Sequence, residues 1–279
     1  MSAFELRWRL FGLNFAIKPS FWIVSALFGL MLMQHLRGQN NLLLYILLWV
    51  LCTLVSVMVH ELGHAVTGAL FGQPGNITLA GLGGQASGNF DKLKSWQRAL
   101  VILAGPGAGF LFLALQTFIN SRPWDLLADA GNFPNLKLNW DLLVYFRHDP
   151  WRFEPLVVVD ILTFLCWMNL FWNLINLIPI IPLDGGMLMR EGCMAISPLG
   201  GLKFALGISF LLAGLGAMYH LAIVLKNYKV ISMPVELPTV IMPELAVIMF
   251  GMMAYQSFSS LLQVGRMQRD ERYRDPEED

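Results

Sequence analysis

Charge is scarce in this chain and has no net sign. Asp, Glu, Lys and Arg make up 14% of the 279 residues, 19 acidic against 19 basic. A soluble domain carries roughly 25%, and a nucleic-acid partner would call for a basic excess. Neither class fits. Cysteine is scarce too: Cys52, Cys166 and Cys193 are an odd number without metal-ligand spacing, so they read as packing residues. There is no internal repeat and no low-complexity tract. The first apolar run ends in His35-Leu36-Arg37-Gly38 rather than a small-residue cleavage site, so a cleavable leader is not expected.

Apolar residues, by contrast, make up 56% of the chain. A membrane-spanning helix needs about 20 mostly apolar residues. Six stretches meet that demand: about 19–36, 42–71, 98–119, 155–178, 202–225 and 240–264. Phe11, Leu13, Phe15 and Ile17 alternate with Gly12, Asn14, Ala16 and Lys18, a period of two that predicts a short strand. A second strand-like stretch, 77–90, contains Gly81-Leu82-Gly83-Gly84 and follows Pro74-Gly75. The expected fold is an all-α polytopic membrane protein of about six transmembrane helices with a small membrane-associated β element.

Lysine and arginine placement sets the expected orientation. With the N-terminus in the cytoplasm, Arg7, Arg9, Lys92, Lys94, Arg98 and the arginines from Arg266 onward all fall inside. Arg37, Lys226, Lys229 and the basic residues of the 120–154 loop fall outside, and they are fewer. Both termini are therefore expected to be cytoplasmic. Trp124, Trp140, Tyr145 and Trp151 of that loop read as interfacial anchors.

Chemistry enters in the second span, at His60-Glu61-Leu62-Gly63-His64. Four residues apart on a helix, the two imidazoles project from one face and can share a metal ion, with Glu61 beside them as a general base. Ionisable groups at bilayer depth are costly, so their default reading is functional. Starting from Leu42, His60 lies about 27 Å along the helix at 1.5 Å per residue. That places it in the cytoplasmic half of the membrane. The end of the fourth span should lie on the same side. It reads Asn176-Leu177-Ile178-Pro179-Ile180-Ile181-Pro182-Leu183-Asp184-Gly185-Gly186, where two prolines forbid continuous helix. Asp184, in that unwound segment, is a candidate third ligand. Two histidines and a carboxylate leave the fourth tetrahedral position of a catalytic zinc open.

With these motifs the chain resembles the site-2 protease family of intramembrane zinc metalloproteases. The likeness rests on His60–His64, on Asn176 through Gly186, on Gly81–Gly84, and on Phe11-Gly12-Leu13 with Lys18-Pro19-Ser20-Phe21. It implies one Zn2+ per chain held by His60, His64 and Asp184, Glu61 as base, and Asn176 as a stabiliser of the oxyanion. It also implies a membrane-anchored protein substrate, cleaved in or near its transmembrane segment. A catalytic core over about 8–190 and accessory helices over about 200–265 would form a single domain, with 266–279 a charged cytoplasmic tail. The chain departs from the family where Ala104-Gly105-Pro106-Gly107-Ala108-Gly109 lacks an asparagine, and it shows no PDZ or CBS module.

Other residues keep two readings. Asn169, Asn173 and Asn176 form a polar stripe. Interhelical hydrogen bonding accounts for Asn169, Asn173 fits either a structural or a site role, and Asn176 is read as functional. Gly81, Gly83 and Gly84 are either a flexible loop or a strand edge that holds unwound substrate. The glycines of 105–109 read as helix packing. Two rival functions are a zinc transporter, which would need further ligands along a path, and a prenyl-protein-processing protease, which takes a glutamate as third ligand.

Overall fold

The computed structural model describes residues 5–10, 12–32, 42–81, 83–121, 157–231 and 243–273. Phe11, Leu82, the aromatic loop residues and the last six residues lie outside them. The chain divides into two compact units, Met1–Leu174 and Ile175–Asp279.

The first unit opens with strands β1 (Leu6–Leu10) and β2 (Leu13–Ile17), followed by helices α1 (Pro19–Leu32) and α2 (Leu42–Leu70). Strands β3 (Asn76–Ala80) and β4 (Gly83–Ser87), a short 3-10 turn at Phe90–Lys92, α3 (Ser95–Ser121) and most of α4 (Val157–Asn176) complete it. The β element is a four-stranded sheet in the order β1-β2-β3-β4. Its outer pairs are antiparallel hairpins and its central pair, β2 with β3, is parallel. A parallel pair needs a long crossover, and here α1 and α2 supply it. Gly12 and Gly81 carry positive φ values of 82° and 59° at the two hairpin turns, a conformation open to glycine at little cost.

The alternation in β2 survives as expected: Leu13, Phe15 and Ile17 are buried while Asn14 is exposed. With Ile77 and Leu79 of β3 they form an apolar face, packed against Phe21 of α1 and Val57 and Ala65 of α2. A second cluster joins Tyr45, Leu48, Trp49 and Cys52 of α2 to Phe164 and Met168 of α4. In α3, Pro106 sits inside the helix. A membrane helix tolerates it where neighbouring groups satisfy the freed backbone.

The second unit begins at Ile175 in the last turn of α4 and contains α5 (Asp184–Ile196), α6 (Pro198–Asn227) and α7 (Pro243–Tyr273). Between α4 and α5 the chain unwinds at the expected prolines, with a cis Ile181–Pro182 bond. Ile180 is buried with Ala213 of α6 and Ala254 of α7, and the Ile181 amide donates to Ser209 Oγ at 3.1 Å. Two expectations change here. Asp184 is the first residue of α5 rather than part of the irregular segment, a position that suits an acidic side chain at the positive end of the helix dipole. The charged tail expected over 266–279 is helical in its first part, because α7 continues through Arg266, Arg269 and Arg272 to Tyr273. Gln, Arg, Met and Glu favour helix even beyond an apolar span.

Among the described residues, four helical segments are long and apolar enough to cross a membrane: Leu42–Leu70, Ser95–Thr117, Pro198–Asn227 and Pro243–Met267. Of the other two expected spans, α1 is apolar over its described residues, Pro19–Leu32. The fourth, α4, runs for 20 residues, Val157–Asn176.

Candidate metal centre

The paired histidines lie on the buried face of α2, where His60 is 2% and His64 8% exposed. Their ring nitrogens Nε2 are 3.2 Å apart. The other nitrogen of each ring is committed elsewhere. His64 Nδ1 lies 2.7 Å from the Val101 carbonyl oxygen of α3. A carbonyl can only accept, so His64 Nδ1 carries the proton. His60 Nδ1 lies 2.9 Å from Asn173 Oδ1 of α4. The same amide's Nδ2 donates to the Asn169 carbonyl, which fixes the amide with oxygen toward His60. His60 Nδ1 therefore also donates.

Both rings thus have Nδ1 engaged and turn Nε2 toward one point. A metal ion beside the two Nε2 atoms, 3.2 Å apart, could be ligated by both. Zn–N bonds of about 2.0–2.1 Å in tetrahedral geometry put ligand nitrogens about 3.3–3.4 Å apart. The donor set fits zinc. Among the described residues of the first unit, His60 and His64 each offer a metal one ligand atom. The partners on Nδ1 do the usual work of residues behind a metal ligand, fixing its tautomer and ring plane.

Close backbone approaches set these positions. A side chain at Gly63 would run into the Ala104 carbonyl, one at Gly105 into the His64 ring, and one at Gly109 into the Asn173 amide. Gly105 and Gly109 stand one turn apart on α3, so a single glycine face admits both the imidazole and the amide that orients its partner. The small residues read as packing alone are therefore built into the site. Asn173, which fitted two readings in the sequence, is 1% exposed and holds His60. Asn169 donates to Ser56 Oγ at 3.0 Å, the structural role expected of it. What could have revealed Gly105 and Gly109 is their spacing of four, matching that of Asn169 and Asn173.

Glu61 is buried at 4% exposure. It lies against the sheet, since a Cβ built on Gly84 would stand 2.6 Å from Glu61 Oε1. The neighbouring Gly83 faces the Trp172 indole, 3.6 Å from where its Cβ would be. Gly81 occupies the turn before them. Strand β4 is the last in the sheet order, so an edge strand passes directly beside the carboxylate.

In the second unit, glycine again decides the local geometry, here around Asp184. A Cβ on Gly185 would meet the Ile178 carbonyl oxygen at 2.6 Å, and one on Gly186 would overlap the backbone of Ile180 and Ile181. The first turn of α5 thus nests in the proline loop, which holds Asp184 by backbone contact. Asn176 ends α4 and is partly buried.

Residues 153–225 match the model of peptidase family M50. That stretch contains Asn176 and Asp184 but not the histidine pair. A Synechocystis sp. protein, named provisionally as a zinc metalloprotease, is 29% identical over 190 residues, or 65% of this chain and 42% of its own length. The chain thus matches under half of that relative. The solved structure of the site-2 protease from Methanocaldococcus jannaschii aligns with 92% of this chain and 94% of its own, at a TM-score of 0.51 and 19% identity. That likeness establishes the fold.

Proposed function

We propose that this chain, which these matches support as a member of the site-2 protease family, is a zinc-dependent endopeptidase of membrane-anchored proteins. The observation that carries the reading is the pair of imidazoles whose Nδ1 partners leave both Nε2 atoms facing one point, next to a buried carboxylate. His60, His64 and Asp184 would hold one Zn2+. Bound zinc lowers the pKa of a ligand water to about 7 and polarises a carbonyl.

The chain's own residues supply the rest. Glu61 takes a proton from the attacking water and passes it to the leaving nitrogen as the C–N bond breaks, giving an acid and an amine. Asn176 is assigned to the oxyanion by family resemblance. A helical substrate hides its amide bonds and must unwind. The edge strand β4 can receive the extended segment by strand addition. Gly83 and Gly84 keep that edge bare, so the added backbone reaches Glu61. Both termini are placed in the cytoplasm and the centre in the cytoplasmic half of the bilayer, on the lysine and arginine bias.

The test uses purified full-length protein in proteoliposomes with a single-span peptide substrate. Chelator should abolish cleavage, added zinc should restore it, and Glu61→Gln should stay inactive while retaining zinc. Zinc uptake into the vesicles with no cleavage would favour a transporter and overturn the proteolytic reading.

A further inference from the structure

We propose that β1 is a lipid-interface strand, seating the sheet on an anionic bilayer surface through Leu6, Trp8 and Leu10 on one face and Arg7 and Arg9 on the other. All five residues are exposed. Yet the apolar ones are not scattered: Leu6 is 56%, Trp8 40% and Leu10 49% accessible, at alternate positions of one strand.

The register shows which way they point. Leu6 pairs with Ile17, Trp8 with Phe15 and Leu10 with Leu13. Directly opposed residues share a face of a sheet, and Trp8 stacks on Phe15 with ring centroids 5.1 Å apart. Leu6, Trp8 and Leu10 therefore continue the apolar face formed by Leu13, Phe15 and Ile17. That face is covered by α1 and α2 under β2 and β3, and it overhangs them under β1.

What covers the overhang follows from what surrounds the helices. Below the sheet lies α2, a helix long and apolar enough to cross a membrane. The same face, one strand further out, meets the medium in which that helix stands. The opposite face is polar: Arg7 pairs with Ala16 and Arg9 with Asn14, and Asn14 bonds Asn76 at 2.7 Å. Tryptophan prefers the interface, and arginine there attracts anionic headgroups. Arg7 is tied to Glu5 at 2.6 Å. An exposed pair of this kind is worth little, and the guanidinium has further donors to offer a phosphate.

Nitroxide labels placed singly at positions 6, 7, 9 and 10 of the full chain test this, after Cys52, Cys166 and Cys193 are replaced by alanine. The protein is reconstituted in phosphatidylcholine alone or mixed with phosphatidylglycerol. A label at Leu111, an exposed position in the α3 span, serves as the lipid-facing reference. Labels at 6 and 10 should be accessible to oxygen, and those at 7 and 9 to a water-soluble nickel chelate. Adding phosphatidylglycerol should deepen positions 6 and 10, and Arg7→Glu with Arg9→Glu should abolish that shift. Equal access of the nickel chelate to all four positions would overturn the proposal. So would protection of all four from both reagents, which would point to a protein partner or a second copy. If the alanine background lost the Leu111 oxygen signal, the same labels would be read in a background keeping the buried Cys52 and Cys166.

Discussion

Asn173 accepts one hydrogen bond from His60, and much of the site's order passes through it. Replacing it by Leu removes the acceptor that holds the proton on His60 Nδ1. Loss of such a partner typically lowers metal affinity 10–100-fold. Asn173→Leu should weaken zinc binding by about that factor, measured by competition with a fluorescent chelator. Asn169→Leu, which removes a bond to Ser56, should leave zinc affinity within about twofold. At Gly84 the expected result is different. Gly84→Ala drives a methyl group into the Glu61 carboxylate. Since a misplacement of about 1 Å can cost 10²-fold in rate, kcat should fall by about that factor while zinc content stays at one per chain.

At the scale of elements, the helix and strand that carry the chemistry were legible because their periods are simple. His60 and His64 must share a face of any helix, and Leu13, Phe15 and Ile17 must share a face of any strand. What the sequence hid was the exact pairing of residues between elements. Nothing local says that Asn173, rather than Asn169 or Asn176, stands opposite His60. Nor does it say that Gly105 faces the His64 ring, because glycine in a helix signals close approach without naming the partner. Strand β1 carries the same period of two, Leu6, Trp8 and Leu10 against Arg7 and Arg9, but over only five residues, too few to stand out. The start of α5 was missed because Pro-Leu-Asp-Gly-Gly reads as a breaker, whereas its glycines admit a tight first turn. That turn yields a prediction: Gly186→Ala must push apart α5 and the loop at Ile180–Ile181. It should lower zinc affinity at least tenfold while far-ultraviolet circular dichroism changes little.

For the molecule as a whole, an ion held by residues from distant parts of the sequence should couple metal binding to thermal stability. Anything bound only by the native state stabilises it by RT ln(1 + [L]/Kd), about 2.7 kcal/mol at a hundredfold excess over Kd. Zinc should therefore raise the unfolding temperature of the detergent-solubilised protein, and chelator should lower it. His60→Ala should make the transition insensitive to both. The zinc response of the Glu61→Gln protein should match wild type, because Glu61 is assigned to proton transfer and not to the metal.

The central claim is that His60, His64 and a carboxylate converge on one zinc ion. Zinc-edge X-ray absorption on the full-length Glu61→Gln protein, loaded with one equivalent, addresses it most directly. The account predicts nitrogen and oxygen scatterers only, at about 2.0–2.2 Å, with the multiple-scattering signature of two imidazoles. Asp184→Ala should remove one oxygen scatterer. A sulfur shell near about 2.3 Å, or a spectrum unchanged when His60 and His64 are both replaced by alanine, would contradict it.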